Sequence, residues 1–312
     1  MPRNRTIGIV GLGAVASAVL AARRVERRWA SAPDDIALEH RVLPQGEALT
    51  VGTDDGAELA VTVAGDGPDV VLAHCWTGAR EIWAPVAHRL VDAGHRVTLY
   101  DQRGHGSSTC GGDGYSIPRL GADLRAVMTH VDAGDAVVAG HSMGGMTIMS
   151  LATHHPDVLA QRAKAVVLVA TAASGLARGR GDRAAGRVVA SPALDRVMQS
   201  PVGHALVRGS VGKAVRRHHL TLTRDLFVAC PPDARRGLLT AMQAMDLREG
   251  IASIGLPTTV VVGTHDRLTP PALARVLADT IPGAELETID GVGHMVPLEA
   301  PEELATLIAK AA

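Results

Sequence analysis

Continuous apolar runs recur along the chain at Val70–Ala73, Val97–Tyr100, Ala136–Ala139, Ala165–Ala170 and Thr259–Val262. Short uninterrupted runs of this kind read as strands buried on both faces. Helical stretches separate most of them, at Glu81–Ala93, Pro118–Val131, Met143–His154, Pro270–Thr280 and Pro301–Ala311. The alternation predicts an α/β fold, a doubly wound and mostly parallel sheet whose functional loops lie at the carboxyl ends of its strands. Ahead of it, Ala57–Ala64 alternate enough for an antiparallel strand, and Gly65-Asp66-Gly67-Pro68 supplies the turn that closes it. Between Thr171 and about Ile254 helical stretches continue but no convincing strand occurs. Residues 171–254 therefore read as a helical cap inserted into a core made of residues 34–170 and 255–312.

Residues 1–30 stand apart. Thr6–Ala22 carry no charge, with Arg3 and Arg5 before them and Arg23, Arg24, Glu26, Arg27 and Arg28 after. The favoured expectation is an N-terminal membrane anchor over residues 6–22, because a segment of roughly 17 to 25 apolar residues can span the hydrocarbon core and flanking arginines can snorkel to the headgroups. A cleaved signal peptide ending near Ala16-Ser17-Ala18 and a buried helix are the alternatives. The expected location is accordingly membrane-associated, otherwise cytoplasmic or exported. Gly11, Gly13 and Ala16 also match G-x-G-x-x-A, but an arginine cluster follows where a dinucleotide fold needs a second strand ending in an acidic residue.

Composition narrows the chemistry. With 31 basic and 32 acidic residues the formal charge is -1, which gives no reason to expect nucleic acid as a partner. Cys75, Cys110 and Cys230 are too scattered for a disulfide framework or a zinc site, and neither metal nor cofactor is expected. Aromatics are scarce and Phe227 is the single phenylalanine, so pockets must be lined by aliphatic side chains and methionine. Charge is locally uneven: between Arg178 and Arg236 twelve Lys or Arg face Asp182, Asp195, Asp225 and Asp233. That excess reads first as a solvated helical surface and second as a face toward anionic lipid or an acidic substrate.

Val137-Val138-Ala139-Gly140-His141-Ser142-Met143-Gly144-Gly145 runs an apolar strand through G-x-S-x-G into a helix. A serine on such a turn projects its hydroxyl above the sheet, and the flanking glycines let strand and helix approach. Serine needs a base, and the base needs a third group to fix its tautomer. Both occur downstream at predicted strand ends, Asp266 in Gly263-Thr264-His265-Asp266 and His294 in Asp290-Gly291-Val292-Gly293-His294. His265 competes weakly as the base, and His141 is read as a neighbour of the serine. An acyl-transfer site also needs two oxyanion donors. One is the Met143 amide, and the second belongs on the loop His74-Cys75-Trp76-Thr77-Gly78 after the first parallel strand.

These motifs, with Asp101-Gln102-Arg103-Gly104-His105-Gly106-Ser107-Ser108, resemble the esterase and monoglyceride-lipase-like branch of the α/β-hydrolase superfamily from about Ala57 to the C-terminus. The resemblance implies an eight-stranded α/β-hydrolase fold and gives the second oxyanion amide to Trp76. Cys75 stands where such proteins usually have glycine, so the loop is expected to follow a somewhat different path, with Cys75 close to the pocket as a buried, inert thiol or, alternatively, a reactive one. The 101–108 stretch is expected to shape a loop beneath the site.

The function expected is hydrolysis of carboxylic esters, with medium-chain acyl or lipid-like small molecules as substrates. Thioesterase, amidase, C–C bond hydrolase and perhydrolase chemistry on the same triad are the alternatives. A non-catalytic receptor has no need of three triad members and an oxyanion loop.

Overall fold

The computed structural model describes residues 24, 27, 32–176, 182–200 and 202–312. The expected apolar segment 6–22 and the Gly11-Leu12-Gly13 motif lie outside them. Among the described residues no helix is long and apolar enough to cross a membrane.

Eight strands form one sheet: β1 (Glu47–Gly52), β2 (Glu58–Ala64), β3 (Asp69–Ala73), β4 (Arg96–Tyr100), β5 (Ala136–His141), β6 (Ala163–Val169), β7 (Thr258–Gly263) and β8 (Glu285–Ile289). Their spatial order is β1-β2-β4-β3-β5-β6-β7-β8, antiparallel at β1/β2 and β2/β4 and parallel from β4 onward. The expected eight-stranded, mostly parallel α/β-hydrolase fold is thus present. Each of the five apolar runs lies in its strand, apart from Ala170 at the end of the fourth. No apolar run marks β1 or β8, because Glu47–Gly52 and Glu285–Ile289 are not covered on both faces.

Why the runs are continuous is visible in the two core layers. Val71, Ala73, Val138 and Leu168 pack under the helices Ile117–His130 and Met143–His154. Their neighbours Val70, Leu72, Val137, Ala139 and Val167 pack on the opposite face, with Leu90 of helix Ala84–Asp92 and Leu304 and Ile308 of helix Pro301–Ala311. With a period of two and helices on both faces, every position must be apolar. Helix Met143–His154 is buried from Met143 through Ala152, and its sequence is correspondingly apolar all round.

Between β6 and β7 the described residues form only helices, chiefly Asp182–Val189, Pro192–Gln199, Gly203–Val207, Arg217–Ala229, Pro232–Ala244 and Arg248–Ile251. This helical insert leans on the carboxyl ends of the strands. The Ser210 carbonyl accepts from His294 N, and Lys213 N donates to Gly291 O.

Arg103, in the loop after β4, is fully buried. Its guanidinium meets the Asp123 carboxylate at 2.6 and 2.7 Å, the Asp55 carboxylate at 3.0 and 3.1 Å, and the Gly114 carbonyl at 2.9 Å. The bond from Arg103 holds the Asp55 carboxyl well below the usual carboxylate range. Removing one member of a buried pair strands its partner's charge, at a cost of about 3–5 kcal/mol. Arg103→Met should therefore lower unfolding stability by about that amount in urea titration. A loss below about 1 kcal/mol would show that the cluster does not brace this loop.

Candidate active site

β5 passes directly into helix Met143–His154, and Ser142 is the single residue between them. Its backbone lies at φ 53° and ψ -112°, a sparsely populated region that costs a non-glycine residue roughly 1–3 kcal/mol. The surroundings impose it. Ser142 N donates to the Val169 carbonyl at 2.8 Å, and the Ser142 carbonyl accepts from Thr171 Oγ1 at 2.6 Å and from Gly145 N at 2.9 Å. A Cβ on Gly140 would stand 2.4 Å from the Gly144 carbonyl, on Gly144 2.1 Å from the Ala73 carbonyl oxygen, and on Gly145 2.6 Å from the Thr171 side chain. All three glycines are therefore required by contact, and the hydroxyl sits at a helix N-terminus that favours developing negative charge.

Asp266 follows β7 and His294 follows β8, and the fold brings the two side chains together. His294 Nδ1 lies 2.9 Å from Asp266 Oδ2, both residues being buried. The carboxylate acceptor assigns the proton to Nδ1. Asp266 Oδ1 accepts from Leu268 N and Thr269 N at 2.8 and 2.9 Å, an Asx-type turn that fixes the carboxylate. Burial pushes the Asp266 carboxyl up, but neighbouring His294 and the Thr269 donors outweigh it and leave the group below its ordinary value. Ser142 and His294 line the same cavity without a hydrogen bond between them in this structure. Such contacts are often long in unliganded enzymes and tighten with substrate.

The loop expected to supply an oxyanion amide leaves β3, which pairs with β5 in the register Ala73↔Gly140 and so lies beside the serine turn. Trp76 lines the cavity, while Met143 follows Ser142 and is buried. Neither amide is consumed by a hydrogen bond among the described residues. The loop is pinned from below by the 101–108 stretch. Gln102 N donates to His74 Nε2 at 2.8 Å, Gln102 Nε2 to the His74 carbonyl at 2.5 Å, and Thr77 N to His105 Nε2 at 3.1 Å. Burial drives His74 down to about 4 and His105 down to about 3, which keeps both rings neutral and able to accept from amides. Cys75 fills the space under Gly78, where a Cβ would come within 2.8 Å of its sulfur, and packs among Ile82, Met198 and Met295.

The cavity has a volume of about 880 Å³. Ser142, His294, Cys75 and Trp76 form its floor, and the insert supplies Val189, Leu194, Met198, Leu206, Phe227, Leu239 and Met242. The lining is aliphatic and methionine-rich, as composition implied. Phe227 packs edge-on against Trp76, whose Nε1 donates to the Arg235 carbonyl at 3.1 Å. Arg235 is itself fully buried, paired with Asp195 at 2.6 Å and stacked 4.7 Å over Phe227. At this position the basic excess belongs to the interior of the insert and not to a solvated surface. Among the described residues no group of three or more His, Cys, Asp or Glu is placed to hold a metal ion.

Two residues of the site escaped sequence reasoning. Thr269 places its hydroxyl 2.8 Å from Asp266 Oδ2 and 3.2 Å from His294 Nδ1; the D-x-x-T spacing was its only signal. His141, read only as a neighbour of the serine, has Nε2 2.8 Å from the His294 carbonyl and its ring centroid 5.0 Å from that of His294. Burial and then the nearby His294 push His141 down to about 3, so it donates as a neutral ring.

The sequence profile of the alpha/beta hydrolase family matches residues 70–307. A non-heme chloroperoxidase of Kitasatospora aureofaciens is 28% identical over 78% of this chain and 92% of its own length. A pimeloyl-[acyl-carrier protein] methyl ester esterase of Aromatoleum aromaticum is 29% identical over 77% and 96%. In structure, an esterase from Exiguobacterium antarcticum superposes with a TM-score of 0.76 at 21% identity, covering 85% of this chain and 99% of its own.

Burial pushes the thiols of Cys75 and Cys230 up to about 12, whereas Cys110 is exposed. Iodoacetamide at pH 8 should therefore modify the native protein at Cys110 alone, since the thiolate is the reacting form. Mass spectrometry finding Cys75 alkylated at a similar rate would show that this cavity-lining thiol is reactive.

Proposed function

The chain belongs to the alpha/beta hydrolase family, and on that premise we propose that it is a serine esterase in which Ser142 is the nucleophile, His294 the general base and Asp266 the group that orients His294. The observation that carries this reading is the 2.9 Å contact between His294 Nδ1 and Asp266 in the cavity that Ser142 also lines. Ser142 Oγ attacks the ester carbonyl while His294 Nε2 takes its proton. The Trp76 and Met143 amides receive the oxyanion. The leaving alcohol takes the proton from His294, and water activated by the same ring releases the acid from the acyl-enzyme. The esterase name of one relative supports ester cleavage.

The helical insert, residues 171–254, is proposed as the cap that forms the acyl pocket. Its aliphatic wall favours medium-chain acyl or lipid-like esters, because apolar surface removed from water contributes roughly 25 cal/mol per Å². Residues 6–22 are proposed as a membrane-associating helix. Fractionating cells that express the chain with and without residues 1–30 tests this, and full-length protein recovered in the soluble fraction would refute it.

Ser142→Ala should abolish labelling by a fluorophosphonate probe, and Asp266→Asn should lower kcat roughly ten-thousandfold. Labelling that survives Ser142→Ala would dismiss the triad. A series of p-nitrophenyl esters of increasing acyl length, run beside matched thioesters, should give kcat/KM rising beyond acetate. A flat profile would remove the acyl pocket, and faster thioesters would replace the ester reading.

A further inference from the structure

Glu299 lies in the short helix Val296–Glu299 just beyond the proposed base, and its carboxylate gathers backbone amides from two parts of the chain. Oε2 accepts from Gly212 N at 2.6 Å and from Gly293 N at 3.1 Å, and Oε1 from Met295 N at 3.1 Å. Gly293 and Met295 flank His294, whose own amide donates to the Ser210 carbonyl at 2.8 Å. Three successive amides of the base loop are thus fixed, two by Glu299 and one by the insert.

Gly212 belongs to the same stretch of the insert as Ser210, and the two backbones touch. A Cβ on Gly212 would stand 2.1 Å from the Gly291 carbonyl oxygen and 2.5 Å from Gly293 N, and a Cβ on Gly293 would stand 2.4 Å from Gly212 N. Two glycines cross here because nothing larger fits, and the carboxylate bridges the crossing. Satisfying helix-entry amides is a common task for a carboxylate, but a helix of this length needs no donor from a segment more than 80 residues away.

We propose that Glu299 is a positioning residue for His294, clamping the base loop to residues 210–213 of the insert so that the imidazole is held in place for proton transfer. This rests on the reading of His294 as the base. Glu299 does not line the cavity, so it acts through the loop and not by touching substrate. Its effect belongs in kcat, since displacing a reacting group by about 1 Å can cost roughly a hundredfold.

The test compares Glu299→Gln, Glu299→Asp and Gly212→Ala in the full chain, with active sites counted by fluorophosphonate titration and melting temperatures recorded. Glutamine offers one acceptor oxygen where three amides converge and turns an NH2 toward the others. Its kcat should fall about tenfold or more with KM within about twofold. Aspartate keeps the charge and both oxygens but withdraws them by one methylene, so its loss should be smaller. Gly212→Ala forces the segments apart and should lower kcat as well. Combined with Glu299→Gln it should lose little more than the larger single effect, because both break one coupling. Wild-type kcat in Glu299→Gln and Glu299→Asp, or single effects that multiply in the double variant, would overturn the proposal even if melting temperature falls. If Glu299→Gln does not fold, the aspartate and alanine variants decide by the same criteria. Activity that survives Ser142→Ala and His294→Ala would instead overturn the triad itself. Loss of activity in those two beside an unaffected Glu299→Gln would refute only the clamp.

Discussion

The close approach of three backbones at the serine turn is the constraint on which the rest of the site depends. Gly144 touches the end of β3, Gly140 touches the turn from below, and Gly145 rests on Thr171 after β6. A methyl group on any of them would collide with a neighbour held in the sheet or packed against it. That contact fixes Ser142 in its positive-φ conformation, and hydrogen bonds to Val169 and Thr171 offset the strain. It also needs β3 and β5 to be neighbours although β4 lies between them in sequence, which is what the crossover order supplies. The loop after β3 is thereby set beside the serine before any side chain is considered.

Electrostatics then separates the buried histidines. His74, His105 and His141 all contact backbone groups, and burial drives all three well below the ordinary histidine range. A neutral ring costs little to bury and can serve as donor and acceptor at once, which suits a scaffold. The His294 ring, by contrast, meets a carboxylate, that of Asp266. A carboxylate partner stabilises the imidazolium that forms when a serine gives up its proton. The same residue type therefore serves two purposes, decided by whether its partner is a peptide group or a charge.

Much of this was legible in the sequence because it follows from local rules. The apolar runs marked strands that are covered on both faces, and failed for β1 and β8, which are not. Ser142, Asp266 and His294 could be singled out as candidates because each follows a strand and carries glycine or turn chemistry beside it. The contacts of His141, Gln102 and Glu299 were not legible, because they reach residues far away in the chain, as in the contact of Glu299 with Gly212, and Thr269 had only the D-x-x-T spacing to mark it. The sequence of the 101–108 stretch revealed a loop but not that Gln102 and His105 hold the loop after β3 through His74 and Thr77. Charge counting likewise could not tell that Arg235 is buried against Asp195 and Phe227 while other basic residues of the insert, such as Arg217, remain exposed.

The insert is tied to both loops that carry the proposed chemistry, and in both cases through the backbone. The Ser210 carbonyl receives the His294 amide, and the Arg235 carbonyl receives the Trp76 indole. Backbone acceptors tolerate changes of side chain, so the insert can vary the apolar wall built by Leu194, Met198, Leu239 and Met242 without disturbing either anchor. One anchor does share a helix with the wall, however: Arg235 lies with Leu239 and Met242 on helix Pro232–Ala244. A substitution large enough to shift helix Pro232–Ala244 moves the Arg235 carbonyl, and with it Trp76. Selectivity and turnover are therefore separable for changes that only reshape the cavity, and coupled for changes that displace a helix.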